Sequence, residues 1–381
     1  MMAFSFGDII GQERVVEQLR RSVDENRLAH ALLITGPRGN GKLPIAVALA
    51  KYLLCGNKAG GEACDCCPTC VKVNKLIHTD LHFVFPVKKK KNSSSDSTPV
   101  SDDYIQEWRE LLTKNPYFGY DAWLQKLDVD NQQPMIYERE SGEILHKLSM
   151  HSREGGWKVV IIWLPEKMKE AGSNKLLKII EEPPQDTLFI LVSEEPGHIL
   201  PTILSRTQRI DVPRILQEDM KRALVSRYGL TADDAAQIAQ QCGGDVEKAE
   251  ELLSLNEEKA LYLELFAQLM RAAYARNIRD MKQWSERVAA MGRERQKRML
   301  EYCQRMIREN FIMNFKRDEM LCLSADERNF SVRFSPFVNE RNIFGIMEEL
   351  SEAARHIEQN VNAKMVFFDT SLRMIVWIKN R

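Results

Sequence analysis

The sequence has no excess of charge of either sign and no long hydrophobic run. Its 381 residues include 54 Lys and Arg against 54 Asp and Glu, so the formal net charge at pH 7 is zero. A neutral chain is not expected to coat nucleic acid through one broad basic face, although a local basic patch or contact through partners stays open. The longest apolar runs have the length of strands and fall far short of the roughly 20 residues of a membrane helix. We therefore expect no membrane-spanning segment.

The N-terminus lacks the features of a secretion signal. Residues 1–6 (MMAFSF) contain neither a basic start nor a long apolar segment, and both are typical of signal peptides. We therefore expect a cytoplasmic protein. In that reducing compartment the eight cysteines are not expected to form a disulfide framework.

Five of the cysteines lie in one short segment, residues 55–70. Four of them have the spacing Cys55-x8-Cys64-x2-Cys67-x2-Cys70, and four thiolates suit tetrahedral Zn²⁺. The fifth, Cys66, could replace Cys67 as a ligand, although the two x2 spacings favour Cys67. Unligated or redox-active cysteines are the alternative. A closed four-sulfur site leaves no open position for a substrate, so the spacing predicts a structural zinc module without catalysis.

Strands alternate with helices over residues 1–212, which predicts an α/β domain with a mainly parallel sheet. Short apolar runs typical of buried strands occur at 31–34, 159–164, 188–192 and 210–212. A helix between the last two long runs is expected to end before Pro183-Pro184. Beyond Pro213 the strand signals fade, and the sequence predicts a small helical unit at 213–255 and long helices at 256–381.

Residues 88–135 interrupt this alternation. They open with four lysines, Lys88–Lys91, and a serine-rich polar stretch, which favours a solvated loop over a contact with DNA phosphates. The part from Tyr104 to about Met135 is rich in aromatic residues. We expect it to fold back onto the α/β domain.

A glycine-rich loop follows the first predicted strand. Its sequence GPRGNGKL, residues 36–43, fits G-x-x-x-x-G-K but lacks the final Ser or Thr that ligates Mg²⁺. The candidate nucleotide-binding residues are Gly36, Arg38, Gly39, Gly41 and Lys42. Backbone N–H groups would surround phosphate oxygens and Lys42 would neutralise them, but Leu43 offers no ligand atom. The loop predicts ATP or ADP binding without productive hydrolysis, and a glycine turn without a ligand is the alternative.

A second metal-supporting element is also missing. A P-loop ATPase needs acidic residues at the end of a neighbouring strand to hold Mg²⁺ and position water. Here the strand at 159–162 continues into Trp163-Leu164-Pro165, and Glu166 beyond the proline is expected to be displaced. The two absences together predict a domain that kept the P-loop fold and lost the chemistry.

Several motifs resemble those of bacterial DNA polymerase III clamp-loader subunits. They are FGDIIGQ at 6–12, AHALLITG at 29–36, the cysteine spacing after the P-loop helix, NKLLKIIEEPP at 174–184, and ILSRT at 203–207. The last resembles the family's Ser-Arg-Cys motif, with Thr207 in place of the cysteine. The resemblance covers 4–87 and 136–212, is architectural from 213 to 381, and leaves 88–135 as an insertion. It implies an AAA+ domain with a zinc module (1–212), a helical lid (213–255) and a helical collar for oligomerisation (256–381).

The family includes ATPase motor subunits, gamma/tau, and a rigid stator, delta-prime. Three departures favour the delta-prime type. Leu43 lacks the hydroxyl, Trp163-Leu164 stands where motor subunits carry Asp-Glu, and Glu247 stands where an arginine of the lid would face the γ-phosphate. Tau-type chains also continue past the collar, so the chain length favours the same type.

The resemblance implies a role for Arg206, together with Ser205. In this family the corresponding arginine enters the ATP site of the neighbouring subunit as a trans arginine finger, and a surface arginine at a helix end is the alternative. The implied partners are gamma/tau ATPase subunits, the delta subunit and the sliding clamp, with primed DNA reached through the complex. A gamma/tau-like ATPase motor and a stand-alone zinc-containing DNA-binding or repair adaptor remain alternative functions.

Overall fold

The structure is a computed structural model that describes residues 4–89, 98–129, 132–150, 152, 156–315, 321 and 323–379. The chain forms two compact units, Met1–Leu252 and Leu253–Arg381. Most of the polar stretch that follows Lys89 lies outside the described residues. Within the described part of the chain, no helix combines the length and apolarity needed to cross a membrane.

The first unit is built on a parallel sheet of five strands in the order β2-β3-β4-β1-β5. The strands are β1 (Ala31–Thr35), β2 (Leu81–Val84), β3 (Lys158–Trp163), β4 (Thr187–Ser193) and β5 (Gln208–Asp211). Every residue of β1, β3 and β4 is buried, as expected for strands covered by helices on both faces. Four of the five strands agree with the predicted runs. The sequence reasoning missed β2, a four-residue strand with His82 inside its apolar run.

Helices cover both faces of this sheet. In the first unit they are α1 (Glu13–Asp24), α2 (Lys42–Leu54), α3 (Pro68–Asn74), α4 (Ile105–Lys114), α5 (Tyr120–Leu127), α6 (Glu138–Ser149), α7 (Glu170–Glu181), α8 (Pro201–Leu204), α9 (Gln217–Tyr228) and α10 (Ala232–Cys242). Short 3-10 helices occupy Phe6–Asp8, Ser101–Tyr104, Pro165–Lys167 and Pro196–His198. Helix α2 is buried on all sides from Lys42 to Leu53, and α7 ends just before the two prolines, as predicted.

The second part of the 88–135 insertion folds onto the α/β sheet, as the aromatic content predicts. Trp108 of α4 and Trp123 of α5 are fully buried. The Trp108 ring stacks on Phe85 with centroids 4.3 Å apart and meets Trp163 at 5.2 Å. Burial of a large aromatic side chain stabilises a fold by roughly 2–3 kcal/mol. Packing within this cluster therefore holds α4 and α5 against the end of the sheet.

Helix α11 (Val246–Ala275) runs without a break through residue 255, where the sequence reasoning separates lid from collar. The second unit contains only helices among its described residues. These are the remainder of α11, α12 (Ile278–Ala289), α13 (Arg293–Met313), α14 (Ala325–Phe334), α15 (Ile343–Glu358) and α16 (Ala363–Lys379), with a 3-10 turn at Ser335–Phe337. Its core includes Phe266, Trp284 and Phe367. The Trp284 indole N–H donates to the Leu265 carbonyl at 2.9 Å.

A buried carboxylate joins the insertion to α6. Glu140 is 2% exposed, and its carboxylate accepts a hydrogen bond from the Ser101 backbone N–H at 2.6 Å. The Ser101 hydroxyl in turn donates to the Phe85 carbonyl at 3.2 Å. Burial raises the pKa of Glu140 to about 7, above its ordinary value of 4.5. The start of the insertion is therefore held by a carboxyl group that titrates near neutral pH.

We expect the stability of the fold to depend on pH through this group. Between about pH 4.5 and 7 the folded chain keeps a proton on Glu140 that the unfolded chain releases, so its stabilising contribution is lost as pH rises through that window. The unfolding free energy of the native chain, measured by urea denaturation, should fall relative to that of Glu140→Gln between pH 5 and 8. The difference should change by on the order of 1–3 kcal/mol.

The matched control is Glu182→Gln, because Glu182 is exposed. Its stability difference from the native chain should stay constant over the same pH range. A constant difference for Glu140→Gln would contradict the assignment.

Candidate functional sites

The glycine-rich loop lies between β1 and α2, the strand–loop–helix position that the sequence predicts. Gly36 approaches the chain after β5 so closely that an added Cβ would lie 2.1 Å from the Val212 carbonyl oxygen, so only glycine fits there. The Asn40 side chain donates to the same oxygen at 2.6 Å. The Gln12 side chain donates to the Pro213 carbonyl at 2.7 Å. The loop is therefore fixed to its surroundings by contacts within the chain.

Lys42, the predicted phosphate-binding lysine, is buried and already hydrogen-bonded by its own loop. Its ammonium group donates to the Pro37 carbonyl at 2.5 Å and to the Asn40 side-chain oxygen at 3.2 Å. Burial lowers the pKa of Lys42 to about 8, while the nearby carboxylates of Glu194 and Glu166 act in the opposite direction. The lysine thus remains charged at neutral pH, and oxygens of this chain occupy positions around it.

Arg38, another predicted phosphate ligand, faces two carboxylates. Its Nε lies 2.7 Å from an oxygen of Glu247, and its Nη2 lies 2.9 Å from an oxygen of Asp121. The hydrogen bond with Glu247 raises the pKa of Arg38 further above its ordinary value. Glu247, which the resemblance places where motor subunits carry an arginine, therefore neutralises a cation of the loop.

The space above the loop is almost filled. The cavity there has a volume of about 20 Å³ and is lined by the loop together with Tyr117, Phe118, Trp163 and Glu194. A single water needs about 10–15 Å³ by a comparable measure. Leu43 is 4% exposed and belongs to the hydrophobic core. The cavity at Lys42 is therefore far smaller than a triphosphate.

Glu166 follows β3 and is hydrogen-bonded to the chain just after β4. Its side-chain Oε1 accepts the backbone N–H groups of Glu194 (2.9 Å) and Glu195 (3.2 Å), just after β4. Its charge also acts on the pKa of Lys42. That Glu166 is displaced from the position of a strand-end acid stays a prediction; the residue before Pro165, Leu164, has a left-handed backbone (φ 56°).

Arg206 follows α8 near the surface and is held by neighbouring groups. Its Nη1 donates to the Thr202 carbonyl at 3.0 Å and to the Ser205 hydroxyl at 3.4 Å. Its Nη2 lies 3.2 Å from the carboxylate of Glu181, the last residue of α7. The Arg206 side chain is 34% exposed. The structure therefore brings Arg206 and Ser205 together with Glu181, a partner that sequence reasoning missed.

The four cysteines with the predicted zinc spacing form one cluster. The sulfur atoms of Cys55, Cys64, Cys67 and Cys70 all lie within 4.8 Å of one another. The Cys55–Cys64 and Cys64–Cys70 sulfur pairs are 3.6 and 3.9 Å apart, close to the roughly 3.8 Å between neighbouring sulfurs around tetrahedral zinc with Zn–S bonds of about 2.3 Å. Cys66 is exposed and outside the cluster. The donor set and spacing therefore fit a zinc ion.

Backbone hydrogen bonds orient two of these sulfurs and favour one thiolate. The N–H groups of Cys64 and Cys70 point at the sulfurs of Cys55 and Cys67, both at 3.4 Å. Backbone N–H groups of Cys67 and Cys66 lower the pKa of Cys64 to about 6, whereas burial raises that of Cys70. A bound cation would supply the charge needed to deprotonate the buried thiol.

The module is attached to the N-terminal segment of the chain. Asp65 pairs with the fully buried Lys51 of α2, and the Ser5 hydroxyl donates to Asp65 at 2.8 Å. The Glu62 carboxylate accepts the Gly7 backbone N–H at 2.8 Å. These contacts place the cluster beside the core as a structural element.

Sequence reasoning missed several residues around the loop. Tyr117, Phe118 and Asp121 come from the insertion, and Glu194 follows β4. The only local signal for the first group was the aromatic content of the insertion. Which residues it would bring to the loop depends on contacts between distant positions, such as Arg38 and Asp121, which are 83 residues apart.

Comparison of the sequence with known proteins places the chain in one family. The sequence profile of the family described as "DNA polymerase III, delta subunit" matches residues 11–215, more than half of the chain. DNA polymerase III subunit delta' of Bacillus subtilis is 28% identical over 249 residues, 65% of this chain and 61% of that protein. Subunit delta' of Escherichia coli is 29% identical over 190 residues, 50% of this chain and 44% of that protein.

A gamma/tau chain is similar to the same extent. The gamma/tau subunit of Mycobacterium bovis is 30% identical over 235 residues, which are 61% of this chain and 33% of that protein. The matched region thus spans less than two thirds of each of these three relatives. Because the matched profile covers more than half of the chain, the chain belongs to the family of DNA polymerase III clamp-loader subunits of the delta-prime and gamma/tau type.

Proposed function

We propose that this chain is the delta-prime-type stator of a bacterial clamp loader, a subunit that helps load the sliding clamp on primed DNA without hydrolysing ATP itself. Its partners are gamma/tau ATPase subunits, the delta subunit and the clamp, and it reaches DNA through the complex. The closed P-loop carries this proposal. Leu43 supplies no Mg²⁺ ligand, and about 20 Å³ remains beside Lys42, far too little for ATP.

Such a subunit acts on the ATP site of a neighbouring subunit. Arg206 is near the surface, and its guanidinium is held at the end of α7 by a single carboxylate. In the assembled loader we assign Arg206 the role of a trans arginine finger that stabilises the charge developing on the neighbour's transferring phosphoryl group, with Ser205 beside it. Trans arginines of this kind raise hydrolysis by roughly 10³–10⁵ in well-studied GTPases. Glu181 would neutralise the arginine until a neighbour's phosphate replaces it.

Arg206→Ala should lower ATP turnover at the facing site by about tenfold or more, because a charge that stabilises the transition state is lost. The measurement is steady-state ATP hydrolysis by the loader reconstituted with gamma/tau and delta, together with clamp loading on primed DNA. Size-exclusion chromatography should show unchanged assembly.

Arg209→Ala is the matched control, since Arg209 is also exposed, on β5, and pairs with Asp211 at 2.8 Å. The loader reconstituted with the Arg209→Ala chain should hydrolyse ATP at the native rate. Native turnover with Arg206→Ala would contradict the finger assignment.

The isolated chain should not hydrolyse ATP. Leu43 and Trp163 occupy the two positions where an ATPase needs side chains that support the metal. Both residues are apolar and belong to the core. The measurement is release of inorganic phosphate from MgATP by the purified chain. Turnover that requires Mg²⁺ would favour the gamma/tau-like motor instead, and tight, salt-sensitive DNA binding by the isolated chain would favour the adaptor.

The cysteine cluster is proposed as a structural zinc site formed by Cys55, Cys64, Cys67 and Cys70. Zinc prefers tetrahedral thiolate coordination, and a four-sulfur site leaves no position for a reacting group. When bound, the ion would cross-link the segment that follows α2 to the first turn of α3. The module would then stiffen the side of the domain that carries the N-terminal segment.

The chain purified without chelators should contain one zinc ion, and the two adjacent cysteines should differ in their effect on it. Cys67→Ser should lose the metal and lower the melting temperature by about 5 °C or more, because a ligand is removed. Cys66→Ser should keep the zinc ion and the native melting temperature, since Cys66 lies outside the cluster. Elemental analysis and thermal denaturation measure the two properties. Loss of zinc in Cys66→Ser but not in Cys67→Ser would reverse the ligand assignment.

A further inference from the structure

The segment from Asn115 to Asp121, here called the 115–121 segment, connects α4 to α5 inside the insertion. It lies against the N-terminal segment of the chain. The Tyr117 hydroxyl accepts the buried backbone N–H of Ile10 at 2.8 Å. Tyr117 is 5% exposed, and burial raises its pKa. The phenol is therefore a fixed part of the interior rather than a surface side chain.

The same segment covers the glycine-rich loop. The Tyr117 ring comes so close to Gly41 that an added Cβ would lie 3.1 Å from its edge. Phe118 packs on Trp163 at the end of β3, with ring centroids 5.2 Å apart. Asp121 pairs with Arg38 at 2.9 Å. Tyr117 and Phe118 thereby line the small cavity at Lys42, and Asp121 holds the arginine of the loop.

The segment also holds the helices that follow the sheet. The Gly119 backbone N–H donates to Glu247, at the start of α11, at 3.1 Å. The Asn115 side chain donates to Glu250, one turn further along the same helix. Glu250 accepts a second hydrogen bond from the Tyr228 hydroxyl at the end of α9, at 2.6 Å. The segment is thereby linked to two of the three helices of the lid.

Glu247 is the centre of this junction. One carboxylate accepts from Arg38 of the loop and from Gly119 of the 115–121 segment. Asp245 just before it lies against Gly39, where an added Cβ would be 1.8 Å from its oxygen, and the Val246 N–H donates to the Gly39 carbonyl at 3.0 Å. Loop, lid and insertion are thus joined through one set of hydrogen bonds and one shared anion.

We propose that the 115–121 segment is a built-in occupant of the nucleotide pocket, which fixes the lid helices of the first unit on the sheet without any ligand. A ligand that lies between a P-loop and a lid contributes contacts to both, and the orientation of the lid then depends on its binding. Here residues of the chain supply those contacts permanently. The insertion therefore converts a ligand-dependent junction into a permanent one, whatever role Arg206 has toward a neighbour.

The test is hydrogen exchange of the isolated chain, read by mass spectrometry over residues 217–252, with and without millimolar MgATP. The native chain should show the same protection in both conditions and no heat of binding by calorimetry. Tyr117→Ala should raise exchange in this region by about tenfold, since lid opening no longer has to break the segment's contacts. Tyr117→Phe removes only the hydroxyl bonded to Ile10. It should also raise exchange over 217–252, but by less than Tyr117→Ala does.

Tyr104→Phe is the control, because the Tyr104 hydroxyl donates to the Lys88 carbonyl at 3.0 Å, within the insertion and away from the loop. It should leave exchange over 217–252 at the native rate. Binding of MgATP to the native chain, or ATP-dependent protection of this region, would overturn the proposal, and neither measurement requires a variant to fold. Unchanged exchange in both Tyr117 variants would overturn it as well. The Arg206 experiment is read in the assembled loader, so the two proposals can fail independently.

Discussion

The structure depends on an aromatic contact at the carboxyl end of β3. Trp163 stands where a P-loop ATPase would need a carboxylate, and its ring packs on Trp108 and Phe118 of the insertion at 5.2 Å each. A charged end of the strand could not be covered in this way, because a buried charge without a partner is strongly unfavourable. The apolar residue therefore permits Tyr117 and Phe118 of the insertion to pack beside the loop, where they line the small cavity at Lys42.

Once the loop is closed, its cations need partners from within the chain. Arg38 finds them in Glu247 and Asp121, and Lys42 in the oxygens of its own loop. Half-exposed ion pairs such as those of Arg38 add little stability one by one, but they specify which elements meet at the loop. In the proposed role, the absence of hydrolysis and the rigidity of a stator would have the same physical origin. Arg206 and the four-cysteine cluster lie outside this set of contacts.

Much of the fold could be predicted from local patterns. The fully apolar runs of β1, β3 and β4 identify buried parallel strands, and the two prolines after α7 fix where that helix ends. The four cysteines were recognised by spacing, because ligands to one ion from a short segment must recur at close intervals. Strand β2 was missed, since four residues with a histidine among them carry little periodic signal. The hydrogen bonds that Glu166 accepts from the chain after β4 could not be predicted either, because they join residues 28 and 29 positions apart.

The sequence by itself determined which groups are present: a loop without the Mg²⁺-binding hydroxyl, a strand end without an acid, four clustered thiols and the motifs of the clamp-loader family. Only the tertiary structure decided which side chains pack beside the glycine-rich loop and the end of β3. The deciding contacts join Arg38 to Glu247 across 209 residues and Ile10 to Tyr117 across 107. Local propensity and spacing carry no information about pairs so far apart. Such pairs are selected when the whole domain buries its apolar surface and satisfies its buried charges together.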